Sequence, residues 1–214
     1  MTDMILVLDD EVQPEYRYLA PEIAKKIPNS EYHVYPEFTG ELNISEYDGV
    51  IISGSTASVY DESHPWIEMQ CSLVDQCINR SIPLLGICFG HQLINWALSG
   101  EVVEDRRRAT FVRMEQTQPD EVIQGVGSLV PVLHSDIVTK LGDGMISTAK
   151  TRYSDNFCTR HTSAPVWSVQ FHPEFSQQVA DQPSDWDSGS HKFSETTASK
   201  VLDNFAQICS KKET

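Results

Sequence analysis

Cys88 stands in the run Gly86-Ile87-Cys88-Phe89-Gly90-His91-Gln92, with a glycine two residues to either side. An apolar run precedes it and a helical pattern follows. This is the G-x-nucleophile-x-G elbow with Cys in place of Ser. A nucleophile on so sharp a turn needs glycines, because the neighbouring backbones leave no room for a Cβ. The helix that follows would aim its N–H groups and positive dipole end at the sulfur, which favours the reactive thiolate. A second run, Val169-Gln170-Phe171-His172-Pro173-Glu174, ends a strand with His172 and Glu174 at i and i+2. In extended chain these two side chains fall on one side. The carboxylate can then fix the imidazole tautomer, and the other ring nitrogen can serve as a general base. Read alone, each run also fits a purely structural role: a buried thiol in a glycine-containing turn, and a satisfied histidine.

Both runs need a frame. Residues 4–8 read as a buried strand, residues 14–27 as a helix stopped by Pro28, and residues 31–35 and 47–52 as further strands. Residues 65–80 read as a helix, 82–87 as a strand, and 93–98 as a helix ended by Ser99-Gly100. Alternating strand and helix implies α/β architecture: a doubly wound, mostly parallel sheet of the flavodoxin-like three-layer kind. The second half changes character. Short strands at 110–116, 129–134, 145–149, 156–161 and 166–171 add antiparallel pairing, and residues 194–209 close as an amphipathic helix. Residues 176–195 are polar and read as a surface insertion. Nothing reads as a linker or a repeat, so residues 1–214 are expected to form a single domain.

The 31 Asp and Glu against 16 Lys and Arg leave a net charge of −15. That excludes a generally basic nucleic-acid binder. The acid surplus fits either a chain adapted to a high-salt cytoplasm or an ordinary acidic enzyme. No apolar run reaches the ~20 residues of a membrane span, and no secretory signal is expected at the start, so a cytoplasmic location is expected. The five cysteines match no disulfide or zinc spacing. Cys71, Cys77, Cys158 and Cys209 read as ordinary thiols. His33, His64, His161 and His191 show no ligand spacing, and no metal site is expected. Arg106-Arg107-Arg108 is the one basic cluster. It reads as a solvated turn, or as a docking or steering element for an acidic partner, a carboxylate or a phosphate.

Ser53-Gly54-Ser55-Thr56-Ala57-Ser58-Val59-Tyr60-Asp61, Gly86 to Gln92, His134-Ser135-Asp136 and Gln170 to Glu174 follow one another in the order and spacing of the class I (triad-type) glutamine amidotransferases. The chain resembles that family over nearly its whole length, and within it is most similar to the amidotransferase subunit of GMP synthase. The resemblance implies a Cys88-His172-Glu174 triad that hydrolyses L-glutamine through a γ-glutamyl thioester. It implies an oxyanion hole from the backbone N–H groups of Ser55 and Phe89, and glutamine contacts from Gly54, Gln92, Ser135 and Asp136. Two departures stand out: Gly54-Ser55-Thr56 replaces the usual Gly-Gly-Pro, and His134-Ser135-Asp136 the usual His-Gly-Asp. A serine at position 55 keeps the N–H, but would make a peptide flip less readily than glycine.

This chain carries no phosphate loop and is expected to bind no cofactor. Ammonia would pass to a separate ATP-dependent synthetase subunit, which in the GMP synthase-like reading converts XMP to GMP with ATP and magnesium. Two alternatives stay open. One is a free-standing γ-glutamyl hydrolase or peptidase on the same triad, which a wide pocket formed by residues 176–195 would favour. The other is a non-catalytic regulatory subunit, which would have no need to keep Cys88, His172 and Glu174 together.

Overall fold

The computed structural model describes residues 4–40 and 42–210. Its centre is an eight-stranded sheet. In chain order its strands are β1 (Ile5–Asp9), β2 (Ser30–Val34), β3 (Gly49–Ile52), β4 (Leu84–Ile87), β7 (Glu115–Gln116), β10 (Met145–Lys150), β11 (Cys158–His161) and β12 (Val166–Val169). The spatial order is β2-β1-β3-β4-β12-β11-β10-β7. The first five in that order run parallel and the last three pair antiparallel. The expected mostly parallel sheet with antiparallel additions is what the chain forms.

Helices α1 (Ala20–Lys26) and α4 (Lys200–Ser210) cover one face, and α2 (Trp66–Arg80) and α3 (Phe89–Ala97) the other. β1, β3 and β4 are buried at every position, as a strand covered on both faces requires. Val7, Ile51 and Leu85 point into the α1/α4 layer with Val201, Leu202 and Phe205. Leu6, Leu8, Val50, Ile52 and Leu84 point the other way, against Ile67, Leu73, Val74, Leu93 and Ile94. Two small ribbons lie outside the main sheet: β5 (Glu101–Val103) with β9 (Ile137–Lys140), and β6 (Arg108–Arg113) with β8 (Leu129–His134). No helix among the described residues is long and apolar enough to cross a membrane.

Several elements differ from the sequence expectation, each for a local reason. The helix expected over 14–27 breaks into a 3-10 turn, Pro14–Tyr16, and α1. Pro21 lacks the N–H that would extend α1 backwards, and fits only its first turn. Helix α3 starts at Phe89, four residues before its apolar stripe, because the elbow turn leads straight into it. The closing helix starts at Lys200 rather than 194, and Phe193–Glu195 forms a separate 3-10 turn closed by Glu195 on the Lys192 N–H. Strands β5 and β9 escaped notice because three or four residues are too short to show a period.

Residues 176–195 are more than a polar loop. Val179 and Ala180 are buried with Phe175, Ala109 and Leu133. Trp186 packs edge-on to Phe175 at 4.6 Å and to Phe111 at 5.2 Å between ring centroids, and Phe193 closes on Phe111 at 5.0 Å. This aromatic cluster fixes the segment over the β6–β8 ribbon.

The elbow glycines are steric necessities. A Cβ on Gly90 would lie 2.4 Å from the Ile52 carbonyl oxygen, and one on Gly86 would lie 2.4 Å from that of Gly90. Gly90→Ala is therefore expected to destabilise the fold by about 1–3 kcal/mol or more, since neither backbone can retreat. Urea denaturation of the variant against the parent chain checks this.

Candidate active site

Three adjacent parallel strands deliver the chemistry to one edge of the sheet. β3 leads into Ser53-Gly54-Ser55, β4 into Cys88, and β12 into Gln170 to Glu174. Ile52 pairs with Gly86, and Ile87 with Val169, so the three strands end level. Ligands of open α/β sheets sit outside the carboxyl ends of the strands, which is where these residues meet.

Cys88 joins β4 to α3 with φ 53° and ψ −99°. A non-glycine residue rarely adopts such a backbone, at a cost on the order of 1–3 kcal/mol, and it persists only where the surroundings enforce it. Here the Cys88 N–H donates to the Val169 carbonyl, the Gly90 N–H donates to that of Ser53, and the glycines admit the close approach. The Cys88 thiol contacts the Leu133 carbonyl at 3.6 Å.

His172 and Glu174 are buried beside it. The His172 Nδ1–H donates to Glu174 Oε1 at 2.7 Å. That fixes the tautomer and leaves Nε2 with no hydrogen bond of good geometry among the described residues. Burial alone would push the imidazole toward neutrality, but the Cys88 sulfur and the Glu174 carboxylate outweigh it and raise its pKa to about 10. A side chain at position 54 would come within 3.0 Å of the His172 ring, so Gly54 lets the ring occupy this place. Lys26 of α1 donates to the Glu174 carbonyl at 3.3 Å and braces the turn from behind.

The Gly54-Ser55-Thr56 segment is clamped by a residue the sequence reading passed over. Glu11 accepts the Thr56 N–H at 2.9 Å on Oε2, and the Thr56 hydroxyl at 2.5 Å and the Gln13 N–H at 2.9 Å on Oε1. The only sequence signal for it was an acidic run, Asp9-Asp10-Glu11, directly after a buried strand. Ser55 does not take a left-handed conformation, so the exchange of glycine for serine costs no backbone strain here. Neither the Ser55 nor the Phe89 N–H is engaged by another group among the described residues. Phe89 follows Cys88 in the chain, but its ring is buried against Trp66 and the residue is not part of the cavity lining.

Gln92, Ser135 and Asp136 line the same cavity. Gln92 Nε2 donates to the Asp136 carbonyl at 3.0 Å, and His134 Nδ1–H donates to the same oxygen at 3.0 Å. His134 Nε2 accepts from Tyr153 at 3.1 Å, and burial lowers its pKa to about 3, so it stays neutral. His91, although part of the cysteine motif, faces Ser168 at 2.8 Å inside the core, and burial lowers its pKa to about 3. Of the arginine cluster, Arg108 is buried over the Tyr153 ring at 3.7 Å, and Arg107 enters the cavity. The solvated-turn reading fails for Arg108; Arg107 keeps a side chain 48% exposed, so it is a solvent-facing residue at the rim of the cavity.

The cavity holds about 550 Å³ and also takes Tyr16, Tyr18 and Leu19 from one side and Pro183, Ser184 and Asp185 from the other. That lies within the ~300–1,000 Å³ of sites for small organic ligands. Among the described residues no group of three His, Cys, Asp or Glu is placed to hold a metal ion. A thiol, an imidazole oriented by a buried carboxylate, and two open N–H donors suit attack on a carbonyl carbon.

Comparisons with known proteins bear on the family and the fold. Residues 25–183 match the family model described as glutamine amidotransferase class-I. A glutamine-hydrolyzing GMP synthase subunit of Methanosarcina mazei is 32% identical over 139 residues, which are 64% of this chain and 69% of that one. The glutamine-hydrolyzing GMP synthase of Porphyromonas gingivalis is 31% identical over 196 residues, covering 89% of this chain but only 34% of that protein. The chain thus spans about a third of that longer relative. A glutamine amidotransferase of Thermotoga maritima shares the fold, with a TM-score of 0.78 at 16% identity over 99% of both chains. With the family match extending over most of its length, the chain belongs to the class I glutamine amidotransferases.

Proposed function

We propose that the chain hydrolyses the γ-amide of L-glutamine with Cys88 as nucleophile, His172 as acid and base, and Glu174 as the group that orients His172. The Cys88 thiol gives its proton to His172 Nε2, its sulfur attacks the amide carbon, the S–C bond forms, and negative charge collects on the oxygen. The Ser55 and Phe89 N–H groups receive that charge. The imidazolium of His172 gives its proton to the departing nitrogen, the C–N bond breaks, and ammonia leaves. Water, deprotonated by His172, then cleaves the γ-glutamyl thioester and frees glutamate and the thiol. The observation that carries this reading is the buried 2.7 Å His172–Glu174 pair set beside Cys88 on an elbow with φ 53°.

In this reading the ammonia goes to a separate synthetase subunit that holds ATP and magnesium and converts XMP to GMP. The likeness to the Methanosarcina mazei GMP synthase subunit supports it. Glutamate release from L-glutamine, with and without such a synthetase, tests both halves. Release by the chain or by the pair supports the hydrolysis. No stimulation of GMP formation from glutamine removes the GMP synthase assignment.

One observation favours a second reading, a free-standing γ-glutamyl hydrolase or peptidase: Pro183, Ser184 and Asp185 of the 176–195 segment do line a cavity of about 550 Å³. γ-Glutamyl peptides cleaved faster than glutamine would select it.

Glu11 positions the oxyanion donor in either reading. Glu11→Gln keeps the shape but presents an amide NH₂ to groups that are themselves donors. It is expected to lower kcat about 10- to 100-fold with a much smaller change in KM. Steady-state kinetics beside a thermal melt separates this from simple unfolding.

A further inference from the structure

Among the described residues Arg107 is the one permanently cationic side chain that lines the cavity, against the carboxylates of Asp9, Glu11, Glu104, Asp136 and Asp185. Its guanidinium is held by Asp185: Nε donates to Oδ2 at 2.8 Å and Nη2 to Oδ1 at 3.3 Å. That bidentate pair uses one edge of the planar fork. The edge carrying Nη1 makes no hydrogen bond among the described residues. Cys88 lines the same cavity.

These facts meet a need of the proposed reaction. A γ-glutamyl substrate carries its α-carboxylate roughly 4–5 Å beyond the carbon that Cys88 would attack. A cavity rich in carboxylates repels that group unless a cation receives it. We propose that Arg107 is the receptor for the substrate α-carboxylate, and that Asp185 is a positioning residue that turns the free edge of the guanidinium toward it. This rests on the reading of Cys88 as the nucleophile for a γ-glutamyl amide. It also accounts for the 176–195 segment, which carries Asp185 to the cavity wall and is pinned by the Phe175, Trp186 and Phe193 rings.

Binding to a Cys88→Ala protein tests the proposal without requiring turnover. The probes are L-glutamine and 4-aminobutanamide, which is glutamine without its α-carboxylate. Calorimetry is expected to show that adding Arg107→Ala weakens L-glutamine about 10- to 100-fold relative to 4-aminobutanamide. Arg107→Lys keeps the charge but loses the fork, and is expected to fall between. Asp185→Asn, which leaves Arg107 in place but frees it, is expected to reduce the same preference by a smaller factor, and serves if Arg107→Ala does not fold. A preference for L-glutamine unchanged in all three variants overturns the proposal, as does failure of the Cys88→Ala protein to prefer L-glutamine over 4-aminobutanamide. Turnover by the chain with Cys88 intact reports separately on the proposed reaction. Hydrolysis with an unchanged preference would sink only the role of Arg107. Selective binding without hydrolysis, alone or with a synthetase subunit, would sink only the reaction.

Discussion

Cys88→Ala is expected to abolish glutamate release, lowering kcat by a factor on the order of 10⁴ or more, while the chain keeps its fold. The size follows from the role: without sulfur no thioester forms, and only the oxyanion donors and substrate binding remain to assist water. The fold survives because the change removes one atom from a side chain that lines the cavity, leaving the Cys88 N–H on the Val169 carbonyl and the glycines of the elbow in place. Unaltered circular dichroism together with lost activity is the combined result to look for. Activity within about tenfold of the parent would remove Cys88 from the chemistry.

Glu174→Gln ranks second, with kcat expected to fall by about 10²–10⁴-fold. The amide is isosteric, but it can present its NH₂ to His172 Nδ1 and so reverse the tautomer that the carboxylate enforces at 2.7 Å. It also removes one of the two groups that raise the His172 pKa to about 10 against the cost of burial. The sign of the linked stability is definite. A histidine whose native pKa lies above its unfolded value of ~6.5 stabilises the fold fully below pH ~6.5. That contribution is lost as pH rises through about 10. The parent chain should therefore lose stability between those limits on account of His172, and Glu174→Gln should flatten that loss. Nitrogen shifts of the His172 ring, followed by NMR from pH 6 to 10.5, should report a lower pKa in the variant. An identical titration in both proteins would show that the carboxylate does not govern the imidazole.

The candidate site was more legible in the sequence than the elements around it. Cys88 and the His172–Glu174 pair each sit in a short run where strand meets turn, and glycine and proline punctuate such runs sharply. The parallel sheet was legible too, since β1, β3 and β4 are buried on both faces and read as continuous apolar runs. Partners distant in sequence were not legible. Glu11 clamps Thr56 from 45 positions away, and Arg107 meets Asp185 across 78. No local spacing encodes such pairs; the sheet order brings them together. The 176–195 segment hid for a different reason. Its polar composition reads as loop, and its order comes from a few rings, Trp186 and Phe193 packing on Phe111 and Phe175, rather than from any period.

The serine at position 55 illustrates how a departure from a family pattern is absorbed. Glycine in that turn gives freedom to rearrange; here the turn is stitched to the end of β1 instead. Asp10 N–H donates to Ser53 Oγ at 3.1 Å, Glu11 takes both donors of Thr56, and Ser55 Oγ accepts the Ala57 N–H at 3.0 Å. A turn held at so many points is preorganised, which is the condition under which an oxyanion donor contributes most.

The central claim is that Cys88 becomes acylated by the γ-glutamyl group. Mixing the chain with L-glutamine, together with a synthetase subunit where one is needed for turnover, quenching in acid within the first turnovers, and weighing the intact protein tests it directly. The account predicts a mass gain of one glutamyl residue, mapped to the peptide containing Cys88 and absent from Cys88→Ala. Steady glutamate release with no acylated species in the parent, or with the adduct on another residue, would contradict it.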